Sequence, residues 1–296
     1  MEEGSITVVS VNWYSSEHLG RLTENLLEKA ENPENIRFLI IDNSAGEDSE
    51  LAGVFNDFAS VQIQSHDPKH SQRSIAHASA LDRAFAQVES EFVLAIDPDV
   101  HVFLDGWDSF CVSETQSGKV AVGAPYPKWK LGKMHDSPSV VFFFGRTEWF
   151  KSVSGGWYPF PSSLRWGWNF VVRKIVRLFG FATRRRLEMS GLIRGLTGWL
   201  EGITGVTSPD TGWRFSKAAI ESGAQSTVFE ADFEKKGELK NDELSRLALN
   251  FELFSHSGKP FLTHMYSSGI AYYRTNESGN LTAWLSAISE VEGGLA

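Results

Sequence analysis

The chain has 296 residues, enough for one large α/β domain or two smaller ones, and its 42% hydrophobic and 22% charged content is ordinary for a soluble globular protein. A net charge of −9 argues against general nucleic-acid binding, which needs a basic face to replace counterions. Cys111 is the only cysteine, so no intrachain disulfide can form and a reducing compartment is expected.

The acidic start Met1-Glu2-Glu3-Gly4 runs straight into a strand pattern and does not read as a signal peptide. No uninterrupted apolar run reaches the roughly 18 to 20 residues of a membrane span, so the expected location is the cytoplasm. Ile6 to Val11 is rich in β-branched residues and predicts the first strand. Ser16 caps the helix expected next, where Leu19, Leu22, Leu26, Leu27 and Ala30 recur at helical spacing until Asn32-Pro33 breaks it. Ile36 to Ile41 predicts strand two, which ends on the polar cluster Asp42-Asn43-Ser44. A short strand over Val61 to Ile63 and a helix over Ser74 to Val88 follow.

Phe92-Val93-Leu94-Ala95-Ile96 is short, apolar and uninterrupted, the pattern of a buried strand in a mostly parallel sheet. It stops at Asp97-Pro98-Asp99. Two carboxylates beyond the carboxyl end of a strand lie where open α/β sheets collect ligands. They offer hard oxygen ligands to a divalent cation, which can neutralise a substrate diphosphate. The β-α-β-α-β order predicts a doubly wound, Rossmann-like half with right-handed crossovers.

The second half is less regular. Strands are expected over Val120 to Gly123, Val140 to Phe144, Thr227 to Phe229 and Phe261 to His264, with a helix over Trp213 to Gly223 and a loop around Pro159 and Pro161. A mixed sheet extending the first one fits this half better than an independent domain. Residues 165–200 stand apart, with eight basic side chains against Glu188 alone, so the segment carries +7 and the remainder −16. From Phe170 to Phe179 the pattern is amphipathic, Arg173, Lys174 and Arg177 opposing Val171, Val172, Ile175, Val176, Leu178 and Phe179. Basic residues mixed with aromatics in this way suit an anionic membrane interface. A helical hairpin packed on the domain, with its basic face in water, fits the same residues.

Several motifs together resemble the family 2 glycosyltransferases, nucleotide-sugar-dependent enzymes with the single Rossmann-like GT-A domain. They are Val8-Val9-Ser10-Val11-Asn12-Trp13-Tyr14, Leu39-Ile40-Ile41-Asp42-Asn43-Ser44, Leu94-Ala95-Ile96-Asp97-Pro98-Asp99-Val100, Phe143-Phe144-Gly145-Arg146 before Gly155-Gly156-Trp157, and Asp210-Thr211-Gly212-Trp213. The resemblance covers most of the chain except about 159–206. It implies a single α/β domain over 1–296, with a mostly parallel central sheet, helices on both faces and a basic helical insertion. A nucleotide-sugar-binding half would span 1–105 and an acceptor-side half 106–296.

By the same resemblance Asn12, Asp42, Asn43 and Asp97 would meet the nucleotide sugar. Asp97 and Asp99 would hold Mg²⁺ or Mn²⁺, with His264 as a third ligand, and Trp157 and Trp213 would lie at the acceptor. Asp210 would be the catalytic base that takes the proton of the acceptor hydroxyl. Ser208-Pro209-Asp210 also reads as a helix start, and Glu201 is a rival base. The chain departs from the family where His70-Ser71-Gln72-Arg73-Ser74-Ile75-Ala76-His77 replaces a glycine and asparagine, leaving Arg73 and His77 as the donor-facing candidates. The implied reaction moves a sugar from a nucleoside diphosphate to a saccharide or lipid-linked hydroxyl, with inversion, as in cell-surface polysaccharide or glycolipid assembly on the inner face of the membrane. A sugar-phosphate nucleotidyltransferase and a non-catalytic carbohydrate- or nucleotide-binding protein of the same fold are the alternatives. The first usually has a glycine-rich phosphate loop after strand one, and Asn12 to Gly20 has none.

Overall fold

The computed structural model describes residues 4–56, 58–69, 72–160, 162–231, 242–266 and 274–295. Two compact units emerge. One is built from residues up to Ala124, Ser137–Pro159 and Thr211–Phe229; the other from Pro125–Asp136, Phe160–Asp210 and Glu230 onward.

In the first unit the strands are β1 (Ile6–Asn12), β2 (Ile36–Asp42), β3 (Val61–Ser65), β4 (Phe92–Ile96), β5 (Val100–Val102), β6 (Ala121–Pro125), β7 (Pro138–Arg146) and β8 (Ser226–Val228). The helices are α1 (Ser16–Glu28), α2 (Leu51–Val54), α3 (Arg73–Phe85), α4 (Trp107–Gln116), α5 (Thr147–Ser152) and, numbered along the whole chain, α9 (Trp213–Ser222). Seven strands form one sheet in the order β3-β2-β1-β4-β7-β6-β8. Strands β1 to β4 run parallel and β7 runs antiparallel to β4, so the mostly parallel central sheet expected from the sequence is present.

Helices cover both faces of that sheet. Val9, Ile41, Val93 and Phe143 alternate onto the side where Leu81 and Phe85 of α3, Phe150 of α5 and Phe215 of α9 pack. On the other side Phe142 meets Trp107 of α4, whose indole donates to the Leu26 carbonyl of α1 at 2.9 Å. With both faces covered, all five residues of β4 are buried, which explains its unbroken apolar run. Helix α4 leaves no periodic signal in the sequence. Ser109, Cys111, Val112, Ser113 and Thr115 are weak helix formers, and burial of Trp107, Asp108 and Cys111 overrides their preference. Cys111 is fully buried there, and burial pushes its thiol well above the usual range.

The second unit contains α6 (Ser163–Val176), α7 (Arg184–Met189), α8 (Gly191–Thr204), β9 (Glu230–Ala231), α10 (Asp242–Asn250), β10 (Glu252–His256), β11 (Lys259–His264) and α11 (Leu281–Leu295). β9, β10 and β11 pair antiparallel. Ser162 Oγ caps α6 by accepting from the Arg165 amide at 3.2 Å. The chain leaves α6 through Leu178 and Phe179, both at positive φ (48° and 55°). Val172 and Val176 of α6 then pack with Leu187 of α7 and Ile193 and Leu200 of α8 around Trp129, Leu131 and Tyr266.

This packing corrects the expected single basic face. Arg177 is buried and donates to the Leu131 carbonyl at 3.2 Å. Arg184 is also buried; it pairs with Glu188 at 2.9 Å and donates to the Ala248 carbonyl at 2.6 Å. Pro161 of the expected loop lies outside the described residues. Among the described residues no helix is long and apolar enough to cross a membrane.

Candidate functional site

Parallel pairing aligns the strand ends of the first unit. Asn12 stands opposite Asp42 in the β1–β2 register, and Ser10 Oγ donates to the Ile96 carbonyl at the end of β4 at 2.8 Å. The order β3-β2-β1-β4 grows from β1 in both directions, so the carboxyl ends of β1 and β4 flank a topological switch point. Ligands of open α/β sheets bind in such a crevice.

Asn12 and Asp42 organise this edge. Asn12 Nδ2 donates to Asp42 Oδ1 at 2.9 Å and to Asp48 Oδ2 at 3.0 Å, while Asn12 Oδ1 accepts from the Ser15 amide at 2.9 Å. Asp42 also accepts from Ser44 Oγ at 2.7 Å and from the Ser44 and Gly46 amides at 3.0 and 2.9 Å. Burial alone would raise the Asp42 carboxyl, but the donors Ser44, Asn12 and Gly46 outweigh it and hold it below the usual range. Its carboxylate is therefore engaged largely by the chain itself.

Asn43 differs. Its Nδ2 donates to the Ala76 carbonyl of α3 at 3.2 Å, yet its buried Oδ1 has no hydrogen-bond partner among the described residues. A buried acceptor left in that state is costly unless a ligand N–H or O–H meets it. Arg73 opens α3 and is exposed; His77, one turn on, is half-buried on the same helix face. His70 and Ser71 lie outside the described residues.

Sequence reasoning missed Trp13 and Tyr14 as site residues. Both are exposed directly after β1, packed edge to face at 5.3 Å, with the Tyr14 hydroxyl donating to Glu47 at 2.6 Å. The available signal was two aromatics following a strand-ending asparagine in an otherwise polar stretch.

Asp97 is half-buried and Asp99 buried in the turn after β4. Among the described residues no three His, Cys, Asp or Glu side chains gather to hold a metal ion, so Asp97, Asp99 and His264 form no ready-made cage. The two aspartates still fit Mg²⁺ or Mn²⁺, because such ions commonly take one or two carboxylates and complete their shell with substrate phosphates and water.

The second unit carries a separate cluster. Buried Lys133 donates to Asp210 Oδ2; burial lowers the lysine from its usual value, with Asp210 opposing that shift. Glu201 accepts from the Gly132 amide and from His135 Nε2, the latter at 3.2 Å, so its carboxylate holds the 125–136 loop. Asp210 retains 26% side-chain exposure against 18% for Glu201. Nor does Asp210 cap a helix, because α9 starts at Trp213 with Gly212, at φ 81°, in the cap position. His264 is buried with its Nδ1 on Glu252 Oε2 at 2.7 Å, so that ring nitrogen is engaged by the chain itself. Lys130 closes the triad, 2.6 Å from Glu252 Oε1 and 3.9 Å from the Tyr266 ring centroid. Burial would raise Glu252, but Lys130 and His264 keep it below its usual range.

Trp157 requires correction. It is 1% exposed and packs against Phe215 at 4.7 Å and Phe85 at 4.9 Å between ring centroids, so it is a core residue with no face for an acceptor. The glycine turn before it has a local cause: Asp82 Oδ1 accepts from the Trp157 amide at 2.8 Å, and a Cβ on Gly156 would fall 2.2 Å from that oxygen. Trp213 is half-buried, with Arg214 and Lys217 at 5.5 and 5.8 Å from its ring.

No family model matches the chain, and no curated protein does. Solved structures do resemble it. The Staphylococcus aureus TarS fragment 1–349 in complex with UDP-GlcNAc is 12% identical, with a TM-score of 0.40, over 52% of this chain and 48% of that one, so the match spans about half of each. The mannosyltransferase PcManGT from Pyrobaculum calidifontis, in complex with GDP-Man and Mn²⁺, is 10% identical over 74% of this chain and 79% of that one, with a TM-score of 0.41. Glucosyl-3-phosphoglycerate synthase from Mycobacterium tuberculosis is 15% identical over 59% and 66%, with a TM-score of 0.38. Identities this low leave the residues themselves to carry the functional assignment.

Proposed function

We propose that this chain is a glycosyltransferase that moves a sugar from a nucleoside diphosphate to an acceptor hydroxyl. The observation that carries the reading is the aligned edge of β2, β1 and β4. There Asn12 and Asp42 stand in register, Asp97 and Asp99 follow the neighbouring strand, and Asn43 holds a buried unsatisfied acceptor. The exposed Trp13 ring suits stacking on a nucleobase, and Asn43 Oδ1 suits a base N–H or ribose hydroxyl. Arg73 is the residue assigned to phosphate. Asp42 serves by fixing the loop around these groups.

A divalent cation on Asp97 and Asp99 would neutralise the diphosphate as leaving group. In the transfer the acceptor oxygen bonds to the anomeric carbon as the bond from that carbon to the diphosphate oxygen breaks. Asp210 accepts the hydroxyl proton. The sequence resemblance favours inversion at the anomeric carbon and the family 2 assignment.

Thermal shift with UDP, GDP and their sugar conjugates, with and without Mn²⁺, tests the reading. A ligand at 100 times its Kd adds about 2.7 kcal/mol of stability, a readily measured shift. We expect one nucleotide class to stabilise the protein in a Mn²⁺-dependent way, and Asp99→Ala to remove both that dependence and sugar transfer. Full transfer activity in Asp99→Ala would sink the assignment.

A further inference from the structure

Helices α6 and α8 each turn an apolar stripe into solvent. On α6 it is Leu164, Trp168, Val171 and Ile175; on α8 it is Leu192, Leu196, Trp199 and Ile203. Both repeat at i, i+4, i+7 and i+11, the spacing of one helical face. The flanking faces, about a quarter turn round each helix, already pack in the core of the unit through Val172 and Val176 of α6 and Ile193 and Leu200 of α8. The outward stripes are thus a second apolar surface. Leu164 is 90% exposed, Leu192 89%, Trp168 69% and Trp199 62%. An exposed apolar surface of this extent marks an interaction site.

Charge identifies the partner. Arg165, Lys174, Arg185, Arg186 and Arg194 are exposed on the same segment. The only acids between Phe160 and Val206 are Glu188 and Glu201, and both are engaged, Glu188 by Arg184 and Glu201 by His135. A second copy docked through this same surface would bring like charges together. An acidic lipid surface offers the opposite charge at its headgroups and an apolar layer directly beneath.

We propose that the α6–α8 surface docks this protein on an anionic membrane, its two stripes entering the acyl boundary while the arginines and Lys174 engage headgroup phosphates. Large aromatic and aliphatic side chains beside basic ones are the composition of helices that lie in the interface plane. The inference is independent of the glycosyl-transfer reading.

The test is sedimentation of the full chain with vesicles of phosphatidylcholine alone or an equimolar mixture with phosphatidylglycerol, at low and high salt. Binding is expected to the mixed vesicles, weakened by salt as screening shortens the field. Replacing Arg165, Lys174 and Arg185 with glutamine should weaken it on the order of 100-fold, from the usual contribution of a basic residue near an anionic surface. Replacing Leu164, Trp168, Leu192 and Trp199 with serine should abolish it while leaving the melting temperature near that of the parent, since these side chains are solvent-exposed. Absence of binding to the mixed vesicles at low salt, or binding that both variants retain, overturns the proposal. A lipid-free dimer that the serine variant dissociates overturns it in favour of a second copy as partner.

Discussion

Lys133 donates to Asp210 across 77 residues of sequence, tying the proposed base to a buried cation in the loop 125–136. That bond fixes where the Asp210 carboxylate points, and a general base needs a held position before it can take a proton.

Asp210→Asn keeps the size of the side chain and an oxygen able to accept from Lys133, but it cannot take a proton. The expected outcome is a fall in kcat of about 10²-fold or more, with nucleotide affinity unchanged and a melting temperature within a few degrees of the parent. Steady-state kinetics beside a nucleotide titration check it. Because Gly212 occupies the α9 cap, unchanged turnover in Asp210→Asn could not be put down to retained capping and would remove Asp210 from the chemistry.

His135 and Glu201 give the second unit a pH dependence of its own. Burial pushes the imidazole down, but the bonds to Glu201 and the Tyr126 carbonyl outweigh it and raise His135 above its usual 6.5. The folded protein therefore holds the proton more tightly than the unfolded chain. The stabilisation is fully present below about pH 6.5 and is lost as pH rises through the folded value. His135→Gln should cost about 1 kcal/mol at pH 6, and the gap from the parent should narrow by pH 8. Denaturant unfolding of both proteins across that range measures it, and a constant gap would refute the linkage.

Trp157 separates packing from recognition. As a core residue among Phe85, Phe143, Phe150 and Phe215, its replacement by alanine should destabilise the protein by about 3–5 kcal/mol. Trp157→Phe should retain most of the stability and leave acceptor KM unchanged. An acceptor KM that rises sharply in a well-folded Trp157→Phe would restore the ring to the binding surface.

Local patterns in the sequence carry the parallel half of the fold well. Strands β1, β2 and β4 are buried on both faces, so their apolar runs stand out, and the polar residues that end them mark the ligand edge directly. Helix α4 and strand β10 are hidden because tertiary burial, rather than propensity or period, makes them. Arg177 and Arg184 read as solvated charges because their acceptors are backbone carbonyls of Leu131, Ala248 and Phe251, which leave no mark on composition. The same holds for Trp157, whose ring partners Phe85 and Phe215 are far off in sequence, and for Asp210, whose lysine precedes it by 77 residues. Of the two stripes the sequence pattern marks only the part of α6 from Phe170 onward and leaves α8 unmarked, and which face packs inward depends on Trp129, Leu131 and Tyr266.

Cys111 sits buried on α4, alone of its kind in the chain, with its thiol held well above the usual range. The thiolate is the reactive form, so a labelling reagent meets almost none of it until α4 separates from the sheet. The rate of labelling thus reports opening of the first unit at a single atom, without an engineered probe. For every variant that carries its substitution elsewhere, that one sulfur distinguishes a lost function from a lost fold.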